Sequence, residues 1–233
     1  LDDGFVRHIK ATAIVERDSS GKALRMIGIN RDYTQDQLIS ERSKAMLELP
    51  VMIEKMSEAE FMEESLDIAE RLTCSKVSFM HLVHAEQNEI ELVAWSKNTI
   101  SKHCQVLHDK HYPVERAGIW ADSIRRRKSV VVNNYATAEG KKGMPEGHAE
   151  LVRFVSTPVV YESLVVLIAG VGNRPRPYTA FEVETMELFF NAVWRLIQKR
   201  RTDDAEKKVR RELVETNEFL DSVLDNLPTM VFV

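Results

Sequence analysis

The sequence predicts an α+β domain over about residues 46–200, with helices bracketing a central mixed sheet. Three observations carry this. Two pairs of strand-length apolar segments are each joined by two or three polar residues. A Ser/Thr-x-x-Glu segment stands before the first pair and another after the second. Behind each of those segments, apolar residues recur in steps of three and four.

Residues 5–15 and 24–30 read as strands around Arg17-Asp18-Ser19-Ser20-Gly21-Lys22, a run of turn formers. Two strands cannot bury a core, so they read as the end of a domain whose beginning is missing. From Thr34 the pattern is helical, with Leu38, Ile39, Ala45 and Met46 at helix-like spacing. Pro50 marks a break, or the first turn of a new helix. Ser57-Glu58-Ala59-Glu60 has capping-box form, and Met62, Leu66, Ala69 and Leu72 follow on one face. Residues 76–84 and 89–96 form a hairpin around Glu86-Gln87-Asn88. Residues 98–113 are polar and loop-like. Residues 119–127 form a short Arg-rich helix, 129–132 a short buried strand and 137–147 a loop. Residues 154–161 and 164–172 form a second hairpin around Glu162-Ser163, ended by Pro175 and Pro177. Thr179-Ala180-Phe181-Glu182 opens a long helix. Its residues Val183, Met186, Phe190, Val193 and Ile197 make a narrow seam, as in a packed or coiled helix. The seam lapses after Lys199-Arg200-Arg201. It resumes in another phase at Val209, Leu213, Leu220, Val223 and Leu227.

A net charge of −4 gives no global pull toward nucleic acid or an anionic membrane. No apolar run reaches the ~18–20 residues of a membrane span. Two cysteines among 233 residues imply no disulfide framework and fit a reducing cytoplasm. No signal peptide is visible, and Leu1 at one end with an apolar run at the other read as cuts from a longer chain.

Candidate chemistry is sparse. His81 and His84 fall on opposite faces of one strand and cannot share a site. His103, Cys104, His108 and His111 come from one polar segment with no second pair elsewhere, which does not make a four-ligand zinc site. Cys104 reads as an ordinary small residue. Arg125-Arg126-Arg127-Lys128 suits a solvated helix C-terminus. The glycines at 140, 143 and 147 lack the Gly-Lys-Ser/Thr of a phosphate loop. No catalytic residue and no metal site emerges, and any cofactor is unknown.

Four stretches in order are Ala117-Gly118-Ile119-Trp120-Ala121, then Arg127-Lys128-Ser129-Val130-Val131-Val132-Asn133-Asn134-Tyr135, then Gly143-Met144-Pro145-Glu146-Gly147-His148, and then Val171-Gly172-Asn173-Arg174-Pro175-Arg176-Pro177-Tyr178. With the helices and strands around them, they resemble GAF domains of bacterial sensor kinases and diguanylate cyclases. The resemblance implies a central antiparallel sheet with helices packed on one face, and long connecting helices at both ends. It also implies a ligand pocket on the concave face of the sheet. Phe79 and Trp95 would line its floor, Trp120, Tyr135 and His148 would come from its cover, and Phe154 would sit beside them. Where phytochrome-like members carry His after a bilin-attaching Cys, Gln105 follows Cys104 here. GAF-type methionine sulfoxide reductases use several cysteines, and this chain has two without a shared motif.

The flanks resemble PAS domains. Residues 15–21 and 28–34 look like a PAS hairpin ending in its exit motif, Asp32 and Thr34, with Tyr33 between them. Residues 219–228 look like the opening helix of a second PAS domain. The implied division is 1–34, the end of a truncated PAS domain; 35–56, a linker helix; 57–200, the GAF domain; and 201–233, a connector helix with the start of a second PAS domain. The expected role is a cytoplasmic sensory relay. It would form a homodimer through its terminal helices, take a small ligand and drive a kinase or cyclase outside this chain. The expected dimer helix is the seam Val183, Met186, Phe190, Val193 and Ile197. The rivals are a ligand-free dimerisation spacer and a reductase.

Overall fold

The computed structural model describes residues 6–102, 111–141 and 150–225. Strands β1 (Ile9–Arg17) and β2 (Ala23–Asp32) pair antiparallel as a separate two-stranded sheet. Their turn is a nest around Asp18, whose carboxylate accepts the Ser20 hydroxyl and the Ser20 and Lys22 N–H groups. Those hydrogen bonds, the Ser20 hydroxyl first, hold the carboxyl below its usual range. The hairpin leaves into a helix through Asp32 and Thr34. Asp32 Oδ1 accepts the Thr34 N–H at 2.9 Å and the Thr34 hydroxyl at 2.6 Å. Thr34 Oγ1 in turn accepts the His8 N–H at 2.8 Å, so the exit is stitched across both strands.

Helix α1 (Thr34–Lys55) continues through Pro50, where the sequence predicts a break or the first turn of a new helix. Proline forfeits one hydrogen bond there. Leu49 and Ile53, both buried against the core on either side of it, hold the helix together. Helix α2 (Glu58–Thr73) opens on a complete capping box: the Glu60 N–H donates to Ser57 Oγ, and the Ser57 N–H donates to Glu60 Oε2.

Strands β3 (Val77–Val83) and β4 (Glu89–Trp95) form the first hairpin. The segment after it is not simply a loop. It begins with helix α3 (Lys97–Lys102) and ends with strand β5 (His111–Pro113). Tertiary contacts override the polar composition here. The buried Glu70 carboxylate of α2 accepts the hydroxyls of Ser78 and Ser96 and the amide of Asn98. Ser96 Oγ also accepts the Thr99 N–H, which caps α3.

A 3₁₀ turn at Ile119–Ala121 runs into helix α4 (Asp122–Arg126), and strand β6 (Val130–Val132) follows. β6 is an edge strand and only half-buried, with Val131 facing out, because a single neighbouring strand covers it. Strands β7 (Phe154–Tyr161) and β8 (Leu164–Gly172) form the second hairpin. Its two-residue turn, Glu162 and Ser163, has both residues at positive φ, the twist that suits a tight hairpin. The sheet order is β5-β4-β3-β8-β7-β6, antiparallel throughout.

Helix α5 (Ala180–Asp225) is 46 residues long and unbroken. α1, α2 and the first half of α5 cover one face of the sheet around Leu49, Phe61, Leu66, Phe189, Phe190 and Val193. α1 and α5 run parallel. Arg42 reaches Thr185 and Glu184 near the start of α5, while Arg200 donates to the Ile53 and Met56 carbonyls at the end of α1. None of the described helices is long and apolar enough to cross a membrane.

Candidate functional site

The opposite face of the sheet carries a second, smaller core. It joins Val83, Ile90, Val165 and Ile168 of the strands to Val114, Ala117, Ala121 and Ile124 of the segment laid over them. That segment is braced internally by Arg125, whose guanidinium donates to the Val114 and Ala117 carbonyls at 2.6 and 2.8 Å.

Strand alternation puts Phe79, His81 and Val83 on this face. Phe79 is the hub of an aromatic group. Its ring meets His81 at 5.4 Å, Trp120 at 5.5 Å and Trp95 at 6.0 Å, all edge to face. Phe79 pairs directly with Trp95 on one side and Gly170 on the other. A Cβ at Gly170 would lie 2.3 Å from the tip of the Phe79 ring, so the ring fills the space beside bare backbone and would have to shift for any larger residue. Next in the same row is Ser156, whose hydroxyl pairs at 2.8 Å with that of Ser123; both are fully buried. Beyond them Tyr135 meets Phe154 at 6.0 Å.

Of the expected pocket residues, Phe79 thus touches both Trp95 and Trp120, and Tyr135 and Phe154 form a second pair. His148 lies outside the described residues. His103, Cys104 and His108 also lie outside them, and no group of His, Cys, Asp and Glu among the described residues is placed to hold a metal ion.

His81 is the member that sequence reasoning missed. It stacks on Trp120 with ring centroids 4.8 Å apart. The available signal was its place two residues after Phe79 on the same strand. Burial lowers its pKa to about 3, so the ring is neutral at neutral pH. The unfolded chain, at the ordinary 6.5, binds a proton that the folded chain refuses. Stability therefore falls as pH drops below 6.5, by about 1.4 kcal/mol per unit until the folded pKa is reached. Between pH 7 and pH 5 the wild type is expected to lose about 2 kcal/mol more than His81→Phe, read by urea denaturation at both pH values. Equal losses would show that His81 takes up its proton without unfolding.

A family model for the GAF domain matches residues 55–198. The chain belongs to the GAF domain family. Over 229 residues it is 29% identical to the methyl sulfide methyltransferase-associated sensor of Methanosarcina acetivorans, covering 92% of this chain and 23% of that protein. The chain therefore spans less than a quarter of that relative's length. Its fold is similar to the GAF domain of Acinetobacter phosphoenolpyruvate-protein phosphotransferase, with a TM-score of 0.58 at 13% identity, over 71% of this chain and 95% of that one. It is also similar to a free methionine-R-sulfoxide reductase from Neisseria meningitidis, with a TM-score of 0.50 at 11% identity, over 68% and 87% of the two chains. At these identities the likeness is one of fold.

The expected dimer seam of the GAF domain is placed otherwise than anticipated. Met186, Phe190, Val193 and Ile197 are all within 1% of complete burial inside this chain's own core, and Val183 packs against it. They are therefore not available to a second chain. The free stripe lies on another face of α5. Alternating steps of four and three residues run from Leu188 and Ala192 to Val209, Leu213, Leu220 and Val223, with polar residues at the steps between Ala192 and Val209 and at Thr216. Leu188 and Ala192 line an open depression of about 620 Å³ between α1 and α5, together with Met46 and Pro50. Val209, Leu213, Leu220 and Val223 are exposed. The later stripe is thus out of phase with the buried seam and in phase with the outer groove.

Proposed function

We propose that this GAF domain is a sensory and regulatory module that relays a signal through α5 to an output domain elsewhere in the protein, of kinase or cyclase type. The observation that carries this is the division of α5. Its first half is built into the domain core, and its second half, beyond Arg201, is exposed on every side. Helices in proteins draw most of their stability from packing one face, and this half packs none, so it calls for a second helix. The stripe from Leu188 to Val223 supports a second copy of this chain, because a heptad-like stripe is complementary to itself. The aromatic face, with its buried Ser123–Ser156 hydroxyl pair, suits a small planar or amphipathic ligand. The sensor name of the Methanosarcina relative supports the same role. β1 and β2, with the Asp32–Thr34 exit, are read as the end of a PAS domain, and the end of α5 as the approach to another.

One observation favours the spacer reading. Phe79 is in ring contact with His81, Trp95 and Trp120, so the aromatic group already packs upon itself. The reductase reading draws its support from fold alone. Cys74, the free cysteine among the described residues, caps α2 on the helical side of the sheet.

Native mass spectrometry of the purified chain, set beside its denatured mass, separates these. A dimer carrying an extra small-molecule mass supports the sensory reading. A bare dimer that gains no mass from aromatic or amphipathic metabolites favours the spacer. A monomer, or a dimer that survives Leu213→Asp with Leu220→Asp, overturns the relay through the α5 stripe.

A further inference from the structure

The connection between β6 and β7 spans residues 133–153, and its described ends are both fastened to the connector between β8 and α5. Two asparagine side chains do the fastening. The Asn133 amide donates to the Tyr178 carbonyl at 3.0 Å and accepts the Tyr178 N–H at 2.6 Å. The Asn173 amide accepts the Val152 N–H at 2.8 Å and donates to the Glu150 carbonyl at 2.7 Å. Each amide thus pairs with backbone as a peptide group pairs across a ladder, using a donor and an acceptor at once. Asn173 has φ 60°, a left-handed state that asparagine tolerates better than most residues.

The two ends of the connection are also tied to each other, since the Tyr135 N–H donates to the Val152 carbonyl at 2.8 Å. Arg153 adds a hydrogen bond to the Arg174 carbonyl at 2.8 Å. The connector, in turn, is locked to the first turn of α5. Arg174 pairs with Glu182 at 2.7 Å, and the other Glu182 oxygen accepts the Thr179 N–H and hydroxyl.

We infer that Asn133 and Asn173 are positioning residues that couple the aromatic face of the sheet to the first turn of α5. This rests on the reading of that face as the input side. Tyr135, whose ring meets Phe154 on the aromatic face, is two residues from Asn133. Asn133 grips the residue next to Thr179, which caps α5. A two-pronged pair resists both sliding and rotation, so displacement of Tyr135 must either carry Tyr178 along or break both bonds. Breaking them leaves the Tyr178 N–H and carbonyl, in a residue only 4% exposed, without their partners, which is the costlier outcome. Movement of the α5 turn is the favoured response.

The test is amide hydrogen exchange on the full chain, with no ligand needed. Tyr135→Ala perturbs the aromatic face and is expected to speed exchange of residues 181–186 by roughly threefold, the size typical of coupled neighbours. In an Asn133→Ala background, Tyr135→Ala is expected to change those amides no further. Exchange of the β3 amides serves as the reference for global folding. If Asn133→Ala disturbs β3, Asn173→Ala replaces it as the second clamp variant. Additive effects, no response of residues 181–186, or loss of β3 protection in both clamp variants overturns the coupling. Absence of a ligand mass in native spectrometry would count against the sensory reading while leaving this cycle intact.

Discussion

Ile197→Asp is expected to leave the chain with no cooperative thermal transition. Ile197 is completely buried, as is Val193 one turn earlier, within the cluster that joins α1, α2, α5 and the sheet. Removing a large aliphatic side chain from such a core costs about 2–5 kcal/mol. Placing an unpaired carboxylate in the space adds several kcal/mol more, roughly the whole stability of a domain this size. Circular dichroism through a temperature ramp reads the outcome directly. The seam spacing alone predicts something else, a folded monomer released from a dimer. A variant with wild-type melting temperature and half the native mass would support that version and contradict the buried placement.

Arg174→Ala is expected to cost about 3–5 kcal/mol, seen as a large drop in the urea midpoint. Arg174 and Glu182 are both buried and paired at 2.7 Å, with side-chain exposures of 8% and 5%. Arg174 also donates to the Thr73 carbonyl at 3.1 Å, so one guanidinium joins the end of α2 to the start of α5. Deleting the cation strands a carboxylate in the interior, and that penalty exceeds the worth of the pair itself. The double variant Arg174→Met with Glu182→Gln is therefore expected to cost clearly less than the sum of the two single changes. Additive costs would mean that the two charges do not interact.

What was legible in the sequence was what local chemistry encodes. Ser57 with Glu60, and Thr179 with Glu182, mark helix starts because the cap and its reciprocal carboxylate sit three residues apart. Glu86-Gln87-Asn88 and Glu162-Ser163 interrupt apolar alternation, and both hairpins form there. Pro50 misled because its cost is local, whereas the burial of Leu49 and Ile53 that overrides it is tertiary. α3 was invisible because its cap partner network draws on Glu70, far away in α2. The seam itself was legible, but steps of three and four serve a helix packed within its own chain as well as one packed on another. The aromatic face was half legible. Phe79, Trp95 and Trp120 stand out by residue type, whereas His81 belongs to the group only through strand parity. The asparagine clamps leave no periodic mark, since Asn133 and Tyr178 are 45 residues apart.

The parallel pairing of α1 with α5 makes the domain a side-load on a shaft. Arg42 at one end and Arg200 at the other act as two pins between the helices, and Arg201 adds a third to Glu58 at the elbow into α2. In the relay proposed above, a thrust along α1 would reach α5 through these pins in the same direction. α5, at 46 residues and about 1.5 Å per residue, is a rod of roughly 70 Å, about half of it beyond the last pin. The sheet sits beside this line, packed along the first half of the rod and joined to its first turn through Arg174 and Glu182.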